Sequence, residues 1–342
     1  MRQATRLKYN AYTAAIARLN GTDAVTHTFA VEPSVQQTLE TRMQESSAFL
    51  QQINVYPVTE QQGEKIGLGV GGPIASRTNT DVKDRETRDP LALDANGYHC
   101  VQTNYDTHIK YATLDGWAKF PDFQARLRDA IIKRQALDRI MIGFNGKSVA
   151  ATTDLNANPL LQDVNKGWLQ KLREYQNGAQ WMREVKADSG VIKIGDEVAA
   201  ADGYKNLDAL VMDMIDSLIA PWYQEDSELV VVLGRALLAD KYFPLVNKAQ
   251  PNSELTAADV IISQKRIGGK QAVSVPFFPA NGLLITRLDN LSIYYQEGAR
   301  RRYLQENPKR NRVENYESSN DDYVIEDFAG IAGCENIQIV AG

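Results

Sequence analysis

The chain has 342 residues, with 38 Lys+Arg against 43 Asp+Glu and a formal net charge of −5. Hydrophobic residues make up 43% and charged residues 24%, the balance of an ordinary globular protein, and the mild acidity argues against a surface built as a whole for tight nucleic-acid binding. No apolar run approaches the ~18 residues of a membrane span, so no membrane partner is expected. Two cysteines, Cys100 and Cys334, exclude a disulfide scaffold and a four-cysteine zinc site and fit a reducing, cytoplasmic origin.

Residues 1–20 carry Arg2, Arg6, Lys8 and Arg18 with no acid before Asp23. Ala4, Leu7, Ala11, Ala15 and Leu19 recur at helical spacing, which predicts a basic amphipathic helix. It is either packed on its own domain or a detachable arm that binds something else. Gly21-Thr22-Asp23 ends that helix, and residues 24–38, interrupted by Pro33, read as extended. Between 55 and 100, Gly67, Gly69, Gly71 and Gly72 are followed by a polar run from Ser76 to Asp89. A packed core cannot be built from that run, and long excursions of this kind are usually functional. Residues 98–114 are strand-like in composition. The whole stretch reads as a two-stranded arm projecting from the body.

Residues 121–144 give the strongest helix signal. Phe123, Leu127, Ile131, Leu137, Met141 and Phe144 form an apolar stripe, with Arg126, Arg128, Lys133 and Arg139 largely off it, and Pro121 suits a first turn. A rod of roughly 36 Å follows at 1.5 Å per residue. Pro159 predicts a helix with Leu161, Val164, Trp168 and Leu172; another runs from Leu207 to Leu218 and stops at Pro221. A buried strand at 229–233 precedes a helix at 235–243, and strands accumulate at 260–262, 273–277, 283–286 and 292–295. Helix and strand do not alternate regularly, so the fold class is α+β.

The last segment carries the clearest charge pattern. Residues 300–312 hold Arg300, Arg301, Arg302, Lys309, Arg310 and Arg312 against Glu306, while 313–327 hold Glu314, Glu317, Asp321, Asp322, Glu326 and Asp327 with no base. Pairing within a chain makes a hairpin of offset charges; pairing between chains makes an interface. Arg300, Arg301, Arg302, Asp321, Asp322 and Glu326 are taken as candidate inter-subunit charges.

No catalytic constellation emerges. His27, His99 and His108 form no metal pair, and His99-Cys100 are neighbours that would point to opposite faces of a strand. The glycines at 67–72 lack the helix and the Gly-Lys-Ser/Thr of a nucleotide loop. The turn after the 229–233 strand has one glycine, and the paired acids at 321–322 and 326–327 have no specified partners. No catalytic, cofactor or metal residue is assigned, and the chain is not read as an enzyme.

Several runs nevertheless form a familiar set: Val31-Glu32-Pro33-Ser34-Val35, Pro221-Trp222-Tyr223-Gln224-Glu225-Asp226, Ala239-Asp240-Lys241-Tyr242-Phe243-Pro244, Val260-Ile261-Ile262-Ser263-Gln264-Lys265-Arg266-Ile267 and Val313-Glu314-Asn315-Tyr316-Glu317-Ser318. Jointly they resemble the major capsid proteins of temperate peduovirus-type tailed phages across nearly the whole chain, with departures at 73–95 and 177–203. The resemblance implies the fold of tailed-phage and herpesvirus capsids. Its expected parts are an N-terminal arm (1–55), an extended E-loop (56–110), a peripheral domain with a spine helix (111–146), an axial domain (147–290), and a peripheral sheet with the C-terminus (291–342). It also implies self-assembly through hexamers and pentamers into an icosahedral head around double-stranded DNA. The implied partners are a scaffold, a maturation protease and a portal protein, with assembly in the host bacterial cytoplasm. An encapsulin-like compartment is the alternative on the same fold. In the family, residues ahead of the Val31-Glu32-Pro33-Ser34 run are removed, placing the expected cut at Phe29, Ala30 and Val31.

Overall fold

The computed structural model describes residues 1–65, 75–85, 87, 97–117, 120, 123–239, 241 and 265–340. The first helix, α1 (Gln3–Leu19), is closed by Asn20, whose side-chain amide donates to the Ile16 carbonyl at 2.9 Å. Its inward residues are Thr5 and Ile16, while Leu7 and Leu19 of the expected apolar stripe are 66% and 59% exposed. The stripe faces outward. Strand β1 (Phe29–Ala30) follows, then α2 (Pro33–Glu45), with Pro33 in the first turn. The expectation of an extended 24–38 is thus corrected. Pro33 has no N–H to lose in a first helical turn and its fixed φ suits one, so it starts a helix rather than interrupting a strand.

Strand β2 (Asn54–Val58) leads to a short antiparallel pair, β3 (Gln62–Glu64) with β4 (Gly97–His99). The return limb continues as β5 (Val101–Asn104) and β6 (Thr107–Lys110) before α3 (Tyr111–Trp117). The glycine run at 67–72 lies outside the described residues. Both limbs are rooted in the main sheet rather than standing free of it, and 111–114 is helical, which shortens the expected arm. The rod is α4 (Phe123–Asn145), about 35 Å long. Its second half is buried through Ile132, Ala136, Ile140, Ile142 and Phe144; none of residues 124–131 is fully buried. Arg139, expected off the packed stripe, is 2% exposed.

The helix expected at Pro159 is absent. Leu161 adopts φ 57°, left-handed, so the chain turns until α5 (Trp168–Glu174) begins. The indole of Trp168 fits because Gly143 on α4 has no Cβ to meet its ring. Strands β7 (Trp181–Met182), β8 (Ile192–Ile194) and β9 (Gly203–Tyr204) precede α6 (Leu207–Leu218). The Asn206 side chain caps α6 by accepting from the Ala209 N–H at 2.9 Å. Helix α7 (Pro221–Gln224) and β10 (Val230–Leu233) follow, and the chain is helical again at 235–239. The strand expected at 260–262 lies outside the described residues. The strand expected at 273–277 overlaps only the end of β12 (Lys270–Val273), which pairs with β11 (Arg266–Ile267), and Phe277, with a left-handed φ of 62°, lies in a turn. The remaining strands are β13 (Leu283–Thr286), β14 (Leu291–Gln296), β15 (Arg301–Asn307), β16 (Arg312–Ile325), β17 (Ile331–Cys334) and β18 (Ile337–Ile339).

Among the described residues, the seven-stranded sheet runs β1-β15-β16-β14-β2, with β5 and β6 also paired to the long β16. A six-stranded sheet runs β11-β12-β10-β13-β17-β7, and β18-β8-β9 form a third. One core gathers α4, α5 and the inner faces of both large sheets around Trp168, Phe144, Ile293 and Tyr323. A second lies between α6 and the six-stranded sheet. A small third cluster, Ile16, Val25, Phe29, Val31 and Leu304, fastens the N-terminus to the sheet edge.

Candidate assembly surfaces and a buried charge network

Among the described residues no group of three or more His, Cys, Asp or Glu is placed to hold a metal. Cys100 and Cys334 are buried free thiols. Burial, with Asp322 and Asp321 nearby, pushes the Cys100 thiol up to about 12, which disfavours the nucleophilic thiolate at the His99-Cys100 step.

The candidate charges divide sharply. The 300–312 and 313–327 segments pair within one chain as the β15–β16 hairpin, with Arg302 opposite Glu317 and Arg301 opposite Ser318. Arg300 is 0% exposed and donates from Nε to Glu317 Oε1 at 2.9 Å, from Nη1 to Glu40 Oε1 at 2.9 Å and from Nη2 to Gln135 Oε1 at 2.9 Å. Asp321 is 1% exposed and accepts from Arg139 Nε at 3.1 Å and Nη2 at 2.9 Å. The second fork of Arg139 is held by Glu40. Asp322 accepts from Lys171 Nζ at 2.7 Å and from the His99 N–H at 2.9 Å, and Glu326 accepts from the Tyr294 hydroxyl at 3.1 Å. For Arg300, Asp321 and Asp322 the inter-subunit expectation is therefore corrected. A buried ion needs compensating partners within hydrogen-bond reach, and this chain supplies them all. Arg302 is half-buried against Asn315 and the Tyr12 hydroxyl, and Arg301 is exposed.

The result is one buried network of two guanidiniums and three carboxylates. Burial alone would discharge Glu317, but Arg300 and Arg302 outweigh it and hold its carboxyl below the ordinary range. Burial likewise opposes the charge on Arg139, yet Asp321 and Glu40 keep its pKa well above the usual value. The hydroxyl of Tyr105, directly after β5, donates to Asp321 Oδ2 at 3.3 Å, and its backbone N–H donates to the Glu317 carbonyl at 2.7 Å. Sequence reading missed Glu40, Tyr105, Gln135 and Arg139. The usable signal was that Gln135 and Arg139 stand four apart among the apolar positions of α4, where polar side chains must meet partners.

Of the expected cleavage positions, Phe29 and Ala30 form β1, opposite Arg302 and Arg301, and Val31 follows directly after it. Phe29 and Val31 are buried, Ala30 is exposed, and the Val31 N–H donates to the Arg300 carbonyl at 2.8 Å. Strand β1 closes one edge of its sheet, and the preceding Thr26, His27 and Thr28 are exposed. Further outward-facing apolar side chains are Leu7 and Leu19 on α1, Met212 on α6 and Trp222 on α7.

Residues 8–337 match the family model for the phage major capsid protein, P2 family. The "Capsid proteins" of Escherichia phage P2 are 57% identical over 342 residues, covering 98% of this chain and 94% of theirs. The "Major capsid protein" of Serratia phage KSP20 is 40% identical, covering 98% and 97%. Among solved structures, a chain of the "Satellite phage P4 procapsid including size determination (Sid) protein" superposes with a TM-score of 0.82 at 52% identity, covering 99% of each chain. These matches favour a phage shell over an encapsulin-like compartment, and the fold is that of tailed-phage capsid subunits. The chain belongs to the P2 family of phage major capsid proteins, structural proteins that assemble in many copies into the icosahedral capsid of the virion and are not enzymes.

Proposed function

We propose that this subunit forms hexamers and pentamers of a head that encloses double-stranded DNA, assembled in the bacterial cytoplasm on a scaffold and completed by a portal protein. In this reading residues 1–55 are the N-terminal arm, 56–110 the E-loop, 111–146 and 291–342 the peripheral domain, and 147–290 the axial domain. The observation that carries it is the near-complete match, at 57% identity, to the capsid protein of phage P2. Two features of the chain support it. None of residues 124–131 of the long α4 rod is fully buried by its own chain, as suits a rod lying under neighbouring subunits. Helix α1 turns Leu7 and Leu19 outward, giving a scaffold an apolar ridge to hold.

The maturation cut is placed at Phe29-Ala30-Val31. A protease binds extended backbone, and β1 is extended with one side open at the sheet edge. Intact-mass measurement of subunits from DNA-filled, nuclease-treated particles tests both parts. A mass well below 38.1 kDa with protected genome-length DNA supports the reading. An uncut subunit refutes the cleavage, and particles without protected DNA refute the packaging role.

A further inference from the structure

We propose that the buried Arg139–Arg300 network is a mechanical coupler: it transmits the docking of residues 1–31 on the sheet edge to the root of the two-stranded arm at residues 101–105. The inference concerns the full-length chain, in which residues 1–31 are docked, and does not depend on whether residues 1–30 are later removed.

At one end, the Val31 N–H donates to the Arg300 carbonyl at 2.8 Å, and the Leu304 N–H donates to the Val25 carbonyl at 2.9 Å. Phe29, Val25 and Ile16 cover Leu304. The backbone position of Arg300 is thus set by the docked N-terminal segment. Its guanidinium faces Glu317 on β16, Glu40 on α2 and Gln135 on α4. Glu40 is shared with Arg139, and Arg139 grips Asp321 with two nitrogens while Ser319 Oγ donates to Asp321 Oδ1 at 2.7 Å. At the far end Asp321 accepts from the Tyr105 hydroxyl, and β5 pairs with β16 over Ser318–Asp321.

Every member has a rigid fork or a carboxylate gripped on both oxygens or by several donors, and all are nearly excluded from water. A shift at Arg300 therefore cannot be absorbed by solvent and must be answered by Glu317 and Glu40. No direct hydrogen bond or ion pair joins residues 1–31 to 101–105 among the described residues; the backbone ladder β1–β15–β16–β5 also connects them, so variants of the side-chain network are what separate the two routes. Coupling through a packed network is demonstrated only by an energetic measurement, not by connectivity.

The test uses hydrogen exchange by mass spectrometry on the full-length chain. Phe29→Asp, combined with Ile16→Asp, places charge in the apolar cluster and undocks the segment, read directly as faster exchange in residues 3–30. The coupled readout is residues 101–105. Residues 107–115 are excluded, because the Arg2 N–H bonds Asp115 and the Tyr111 hydroxyl bonds Glu306, the partner of Arg6. With the network intact, undocking should speed exchange at 101–105 by about fivefold or more. In the background Arg300→Met with Glu317→Met, which removes one positive and one negative charge together, the same undocking should leave 101–105 unchanged. Arg300→Lys, which keeps the charge and loses the fork, serves as a second background and should also break the link. Unchanged exchange at 101–105 in the intact network, or an equal rise in all three backgrounds, overturns the proposal.

Discussion

Arg300 and Glu40 are 260 residues apart in sequence and meet at 2.9 Å in the interior of the chain. One belongs to the segment entering β15, the other to α2, and the carboxylate of Glu40 also closes the fork of Arg139. Breaking one side of such a contact leaves a buried charge without its partner. Arg300→Met should therefore destabilise the subunit by about 3–5 kcal/mol, whereas Arg300→Met with Glu317→Met should cost distinctly less. Denaturant midpoints of the two variants compared with wild type check the order; equal costs would mean that the charges are not mutually dependent.

Glu317 makes stability sensitive to acid in a defined direction. Its folded pKa lies below its ordinary value of 4.5. Its contribution is therefore complete above that value and is lost as pH falls through the lower, folded one. Denaturation midpoints measured from pH 7 downward should decline less steeply for Glu317→Gln than for wild type below about pH 4.5. Parallel curves would exclude Glu317 as an acid-labile element.

Trp168 offers a packing test. Its ring lies against Gly143, edge-on to Phe144 and Tyr323 at 5.1 and 5.3 Å between centroids, with its indole N–H donating to the Ser292 carbonyl at 3.0 Å. Gly143→Ala gains helix propensity on α4 but drives a methyl into the indole. A net loss of about 1–3 kcal/mol is expected from thermal or denaturant unfolding. A gain in stability would show that α4 and α5 can separate at no cost.

Exposed and buried members of the same charged hairpin should behave differently. Arg301→Glu is expected to leave unfolding within about 0.5 kcal/mol of wild type yet to slow particle formation in a salt-dependent way. Asp321→Lys should prevent folding outright, because it sets a cation beside Arg139. Assembly at an unchanged rate with Arg301→Glu removes Arg301 from the interface.

These contrasts show what the sequence made legible. Periodicity placed α4 and α6 because both have an apolar stripe or a capped, continuous apolar face, and β13 and β14 because their apolar runs are short and bounded. It failed at Pro159, where Leu161 takes a left-handed φ that no pattern announces. It also failed at Pro33, whose meaning depends on whether a helix begins or a strand is broken there. The charge blocks at 300–327 were visible, but their burial was not. Burial depends on Glu40 and Arg139, side chains brought in from distant segments, and a run of like charges reads as a solvated face unless those partners are known. The outward turn of α1 was hidden for a related reason: Tyr12 and Ile16, not the alanine–leucine stripe, meet the cluster beneath β15.

Cys100 can report on the arm root without perturbing it. Burial pushes its thiol up to about 12, so the reactive thiolate is scarce at pH 8, and the side chain is fully buried against the Tyr294 carbonyl. Alkylation should be undetectable in the folded subunit and rapid in denaturant. Ready labelling under native conditions would mean that the 97–105 segment opens.

The most direct measurement is electron microscopy of the full-length chain expressed together with its scaffold. Closed icosahedral shells whose subunits place α4 beneath a neighbour and bury the exposed half of that helix are the expected result. Small oligomers or monomers alone, with residues 124–131 still open to solvent, would contradict the identification of this chain as a shell-forming subunit.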